Sequence, residues 1–175
     1  MTEGDILDAS DIKIGDSLFD LELHMIGRKI EEHAWIAKAE VERSFPDQVV
    51  IRVVEREARA IIDLDYLYYV DRAGEVFKML DAGDGLDYPV ITGIDRQYLL
   101  DNQDKTQGSV NLALQLMNAL ENRALFNLDD ISEIHFEEQD GLVMHTRIGG
   151  VPVRMGKQDF ETKLNRLESI YDDLE

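Results

Sequence analysis

The spacing of apolar positions changes several times along the chain, and each change marks an element. Leu21, Met25, Ile26 and Ile30 recur at helical spacing, with Arg28, Lys29, Glu31 and Glu32 on the other side. That pattern predicts an amphipathic helix over 21–33. Ahead of it, Thr2 followed by Asp5 can cap a short helix carrying Ile6 and Leu7. Residues 12–16 break the pattern, with Gly15 in a turn. From Trp35 the period drops to two. Ala37, Ala39, Val41 and Arg43 fall on one side, and Lys38, Glu40 and Glu42 on the other. Pro46-Asp47 signals a turn, and 49–54 is rich in β-branched residues. The two runs predict a β-hairpin with strands over 36–45 and 49–56.

A second unit follows. Residues 58–63, 66–70 and 75–79 read as strands, with Asp71-Arg72-Ala73-Gly74 as the turn between the last two. Residues 81–87 form a loop rich in Asp and Gly, and 89–92 a short strand that leads into Gly93. Leu112, Leu114, Leu116, Met117, Leu120 and Leu125 predict a helix over 109–125. Residues 131–136, 142–147 and 151–155 read as a three-stranded meander, turning at Gln139-Asp140-Gly141 and Gly149-Gly150. A last helix starts after Gly156, with Phe160, Leu164, Leu167, Ile170 and Tyr171 on one face. The class is therefore α+β, in two small units without a long linker or an internal repeat.

Composition narrows the function. Hydrophobic residues make up 44% of 175, enough for a packed core. Acidic residues outnumber basic ones 37 to 18, a formal charge of −19. Such a polyanion repels nucleic acid and anionic headgroups. The absence of cysteine excludes disulfides and thiolate metal sites but leaves the compartment open. No run approaches the ~20 apolar residues of a membrane helix. The opening Met1-Thr2-Glu3-Gly4-Asp5 is the opposite of a signal peptide. Taken alone it suits a cytosolic protein; taken as an internal start it suits a piece of a longer parent.

The hairpin carries a more specific signal. Trp35-Ile36-Ala37-Lys38-Ala39-Glu40-Val41-Glu42-Arg43-Ser44-Phe45-Pro46 resembles a pattern of the FtsQ/DivIB family of bacterial cell division proteins, and residues 49–56 continue it. Residues 12–18 are similar to the junction between the two helices of that family's POTRA module, a β-α-α-β-β unit. Tyr69-Val70-Asp71-Arg72-Ala73-Gly74-Glu75-Val76-Phe77 resembles its "V-D-x-x-G-x-V-F". Tyr88-Pro89-Val90-Ile91-Thr92-Gly93 is similar to its "L-P-x-I-x-G", with Tyr88 for Leu. Val153-Arg154-Met155-Gly156, followed by Lys163-Leu164, resembles its strand-Gly-helix step. Ala58 departs from the Pro usual in the family.

The resemblance implies a POTRA domain over 1–58, with its first strand largely missing. It implies a mixed β-domain with flanking helices over 59–175, shortened at the C-terminus and leaving 151–155 as an exposed edge. It further implies a non-enzymatic divisome scaffold in septum formation, without a cofactor. The parent would be held by one N-terminal membrane helix outside this chain, with both domains on the periplasmic or extracytoplasmic face of the inner membrane. The expected partners are FtsB with FtsL, and other division proteins, taken up through sheet edges. On the POTRA surface the candidates are Lys38, Val41 and Arg43; for Val41 the alternative is core, and for the charges solvation. On the distal surface they are Arg154, Lys163 and Arg166, which could meet an acidic partner. The alternative there is a solvated helix with pairs such as Lys157 with Glu161.

Other chemistries find less support. Gly15-Asp16-Ser17-Leu18 spells the block of the GDSL hydrolases, with Ser17 as nucleophile. None of His24, His33, His135 and His145 has Asp three residues before it, as that chemistry needs. The bland reading is a turn in which Asp16 or Ser17 caps the second helix. The loop over 81–87 lacks the alternating ligands and terminal Glu of a calcium loop. The histidines have no i, i+4 pair for zinc. Asp63 and Asp65 are paired by chance at this acidity. Trp35 reads as core at the helix-to-strand junction. A POTRA-containing module of another secretion or assembly system is the remaining alternative.

Overall fold

A computed structural model describes residues 2–85, 87–96 and 103–172. Leu86 of the acidic loop, the C-terminal Glu175 and the side chain of Tyr171 lie outside the described residues. The chain forms two compact units, Met1–Glu57 and Ala58–Glu175.

The first unit opens with helix α1 (Glu3–Ser10). Its start is a reciprocal box: Asp5 N–H donates to Thr2 Oγ1 at 3.3 Å, and Thr2 N–H to Asp5 Oδ2 at 2.8 Å. Two otherwise orphaned donors are thereby satisfied. Asp11 ends the helix in the left-handed region at φ 56°. Helix α2 (Leu23–Glu31) follows, with Glu22 at its N-cap and no side-chain cap. The expected cap from Asp16 or Ser17 is not made. Asp16 Oδ2 instead accepts the N–H of Lys13 at 2.8 Å, closing its own turn. Strands β1 (Ile36–Ser44) and β2 (Gln48–Glu55) pair antiparallel as an isolated two-stranded sheet. Helix α2 lies close on this hairpin because Gly27 has no side chain. A Cβ there would stand 3.2 Å from Ala39 O and 3.7 Å from Val41 Cγ2. Ile30 and Ile36 are buried beneath, and Trp35 is half-buried at the junction.

The second unit is a seven-stranded sheet with helices on one face. Its strands are β3 (Ala58–Asp63), β4 (Leu67–Asp71), β5 (Val76–Met79), β6 (Val90–Thr92), β7 (Ile131–Glu137), β8 (Gly141–Thr146) and β9 (Pro152–Gly156). They lie in the order β5-β4-β3-β6-β7-β8-β9. β6 is parallel to both β3 and β7, and the outer pairings are antiparallel. Alternate residues of the strands meet helix α3 (Gln103–Leu120) and helix α4 (Phe160–Asp172). Ala60, Ile62, Ile91, Leu116, Met117, Leu120, Ile134, Met144 and Leu164 are fully inaccessible in that core. Each large side chain so buried contributes about 1.5–3 kcal/mol. Two glycines hold backbone together. A Cβ on Gly93 would stand 2.2 Å from Phe136 O, and one on Gly141 2.4 Å from the carbonyl carbon of Gly156.

Helix α3 corrects the expectation over 109–125. It begins six residues earlier and stops at Leu120. Leu125 is exposed, whereas Phe126 is buried. Asn127 then caps a short 3-10 turn, Leu128–Asp130, through reciprocal bonds with Asp129 and Asp130. Ile170 is exposed too, so the apolar stripe of α4 is shorter than its sequence suggests.

Candidate functional site

The six predicted contact residues fall into different environments. On β1, Lys38 is exposed and its ammonium meets Glu40 at 2.6 Å. The hydrogen bond that Lys38 donates to Glu40 raises the Lys38 pKa and lowers that of Glu40. Such an exposed pair contributes little to stability and leaves both groups available. Val41 is half-buried and faces Gly27 of α2, so its side chain belongs to the packed side of the hairpin. Arg43 is exposed but engaged. Its Nε donates to Leu18 O at 2.7 Å and its Nη2 to Leu21 O at 2.6 Å. The guanidinium fork thus ties the helix–helix loop to the hairpin.

The distal trio does not form one basic surface. Val153 and Met155 of β9 turn toward the helices, which puts Arg154 on the opposite face of the sheet. There Arg154 is well exposed and lies 3.6 Å from Glu137. Lys163 turns back from α4 into the connection that precedes it, donating to Met155 O at 2.7 Å and Gln158 O at 2.9 Å. Arg166 is exposed on α4, without an ion pair among the described residues. The expected pair of Lys157 with Glu161 is absent: Lys157 donates to Glu138 O at 2.7 Å. Glu161 goes instead to Arg123.

Arg123 is the residue that sequence reasoning missed. Its side chain is only 11% exposed. It donates to Ala119 O at 3.0 Å, to Glu168 Oε2 at 2.8 Å and to Asn165 Oδ1 at 2.9 Å, and it also bonds Glu161. One cation beyond the end of α3 therefore grips successive turns of α4. No local spacing announces it, because its partners lie some forty positions on.

Both sheets present strand edges. β9 closes one end of the seven-stranded order and β5 the other. The β9 edge is blunted. Pro152 brings no N–H, and Lys163 occupies the carbonyl of Met155, which the register skips. The β5 edge carries Lys78, whose ammonium meets Asp81 at 2.7 Å and Asp84 at 3.3 Å and lies 5.7 Å from the Tyr69 ring. The acidic loop is thus tied to a strand through these contacts, and no cluster of metal-binding side chains forms among the described residues. Asp84 is held below the usual carboxylate range, chiefly by the backbone N–H of Asp81 and then by Tyr69 and Lys78. Burial pushes Tyr69 up, and its bond to Asp84 adds to that.

Ser17 stands in the turn between α1 and α2, its carbonyl accepting from Asp20, and not at the end of a strand. A hydroxyl–imidazole contact lies on the helix-free face, where Thr92 Oγ1 is 2.7 Å from His135 Nδ1 and 2.5 Å from Glu133 Oε1. Glu133 approaches the same ring nitrogen, at 3.9 Å. A base-orienting carboxylate would need the other nitrogen.

Comparison with known proteins fits this architecture unit by unit. Residues 1–56 match the model of the FtsQ-type POTRA domain, and 58–175 that of the C-terminal region of cell division protein FtsQ/DivIB. The chain is 49% identical over 170 residues to cell division protein FtsQ of Syntrophotalea carbinolica, covering 97% of this chain and 60% of that protein. It is 40% identical over 171 residues to FtsQ of Geotalea daltonii, covering 98% and 62%. It is 30% identical over 137 residues to DivIB of Bacillus subtilis, covering 78% and 47%. The chain therefore spans about 60% of the length of the first two relatives. Among the described residues, no helix is long and apolar enough to cross a membrane.

Proposed function

Because this chain belongs to the FtsQ/DivIB family of cell division proteins, we propose that it is a non-enzymatic scaffold of the division machinery. The first unit serves as the POTRA module and the second as the partner-binding β-domain. The parent carries both on the extracytoplasmic face of the inner membrane, anchored by one N-terminal helix. Partner chains are taken up through sheet edges, FtsB with FtsL on the second unit and other division proteins on the first. The observation that carries this reading is the pair of sheets, each with strand edges, in units that match the two FtsQ/DivIB models in order. An open edge offers N–H and C=O groups that an extended partner can pair. Of the predicted residues, Lys38, Arg154 and Arg166 retain exposed charge for a partner, while Val41, Arg43 and Lys163 act by shaping the surfaces beside them.

The test is calorimetry of the whole native protein against the FtsB–FtsL pair of the same genome, with the 175-residue chain as control. Binding by the longer form supports the scaffold. Binding by both forms shifts the site to the surfaces around Arg154 and Arg166. Failure of both refutes it.

A further inference from the structure

The outer edge of β1 is partly closed from within the first unit. In an antiparallel ladder, alternate residues turn their N–H and C=O groups away from the paired strand. On β1 the first such donor is used locally, Ile36 N–H giving to His33 O at 2.9 Å. Next along the strand, Ala39 N–H does not go to a strand but to a side chain: it donates to Glu31 Oε1 at 2.9 Å. Glu31 is the last residue of α2, and Gly27, one turn back, stands against Ala39 O. The Ala39 N–H is thus taken by the last residue of α2. By the two-residue period, the next outward positions are Val41 and Arg43.

We propose that Glu31 is an autoinhibitory guard on the β1 edge, occupying the Ala39 N–H that an added strand would need. This rests on the reading of the first unit as a module that binds extended partners. A strand aligned along all of β1 must first displace the Glu31 carboxylate. A strand confined to Val41 and Arg43 pairs without doing so, but over a shorter length. The carboxylate therefore sets which register a partner can take. It also protects an otherwise open edge from indiscriminate pairing, as charged side chains do elsewhere on sheet edges. The contact is solvent-accessible, so it competes with water and opens readily.

The test uses the full chain with Glu31→Ala and Glu31→Gln. Gln keeps a carbonyl that can accept the Ala39 N–H; Ala keeps nothing. Two readouts apply: hydrogen exchange at the Ala39 amide, and binding of a synthetic peptide with the β2 sequence, residues 48–55. Glu31→Ala is expected to speed Ala39 exchange about tenfold, the loss of one charge-assisted hydrogen bond. It should also tighten the peptide by several fold, with Glu31→Gln close to wild type in both. Unchanged exchange in Glu31→Ala overturns the guard. Faster exchange without tighter peptide binding overturns the edge as its target. Neither readout involves FtsB or FtsL, so failure of the scaffold reading would be seen separately.

Discussion

The two units reach stability by different means. The second buries a continuous core between one sheet face and two helices. The first has one hairpin and two short helices, and it leaves Leu7, Ile14, Phe19, Met25, Phe45 and Val54 exposed. It relies on polar braces that reach from side chain to backbone: the Thr2–Asp5 box, Arg43 on two carbonyls, and Glu31 on Ala39. A small unit cannot bury enough apolar surface to be held by packing alone. Directional bonds then carry a larger share of its shape, and a single one is felt more widely.

Trp35 is the sole tryptophan and lies in the first unit, so its fluorescence reports on that unit. Leu116→Ala, in the second core, should cost that unit about 3 kcal/mol. Melting followed by circular dichroism would show it, and the Trp35 transition should not move. Movement of both would dissolve the contrast. Arg123→Ala should follow, at about 2 kcal/mol, because Glu168 is left poorly solvated and α4 loses its grip. Urea titration measures it, and Arg123→Lys should restore only a fraction because an ammonium cannot fork. Arg43→Met should cost about 1 kcal/mol in the Trp35 transition only, by loss of two exposed hydrogen bonds.

The smallest effect concerns acid. The Asp84 carboxyl is depressed in the folded chain, chiefly by the Asp81 N–H. A depressed acid contributes stability that is full above its unfolded value, near ~3.9, and is lost as pH falls through the folded value. The difference in melting temperature between wild type and Asp84→Asn should therefore be flat above about pH 5 and shrink toward zero in stronger acid. A difference that grows as pH falls would reverse the sign.

The same contrast governs what could be read in advance. The hairpin was legible to within a residue or two, since its alternation and the Pro46-Asp47 turn are local signals. The cap at Thr2 with Asp5 was legible for the same reason. Helix α3 was misplaced at both ends. Its first turns are polar, and Leu125 continues an apolar spacing after the chain has left the helix. The roles of Arg43, Lys163 and Arg123 were invisible, because each satisfies backbone or acidic groups that only folding brings near. A lone cation in an acidic sequence reads as a free charge. Here Arg43, Lys163 and Arg123 brace the fold, whereas Lys38, Arg154 and Arg166 keep their charges exposed.

The central position of β6 bears on how the second unit assembles. The strands on either side of it are joined to their neighbours by short turns, so β3-β4-β5 and β7-β8-β9 can each zip from local contacts. The three residues of β6 must find Ile61 and Ile62 on one side and residues 133–135 on the other. These parallel pairings close the longest loops in the sheet, and loop closure slows folding more than it weakens the product. Joining the two halves at β6 is therefore the expected slow step. Val90 and Ile91 are the places where a mutation should retard folding out of proportion to its effect on stability.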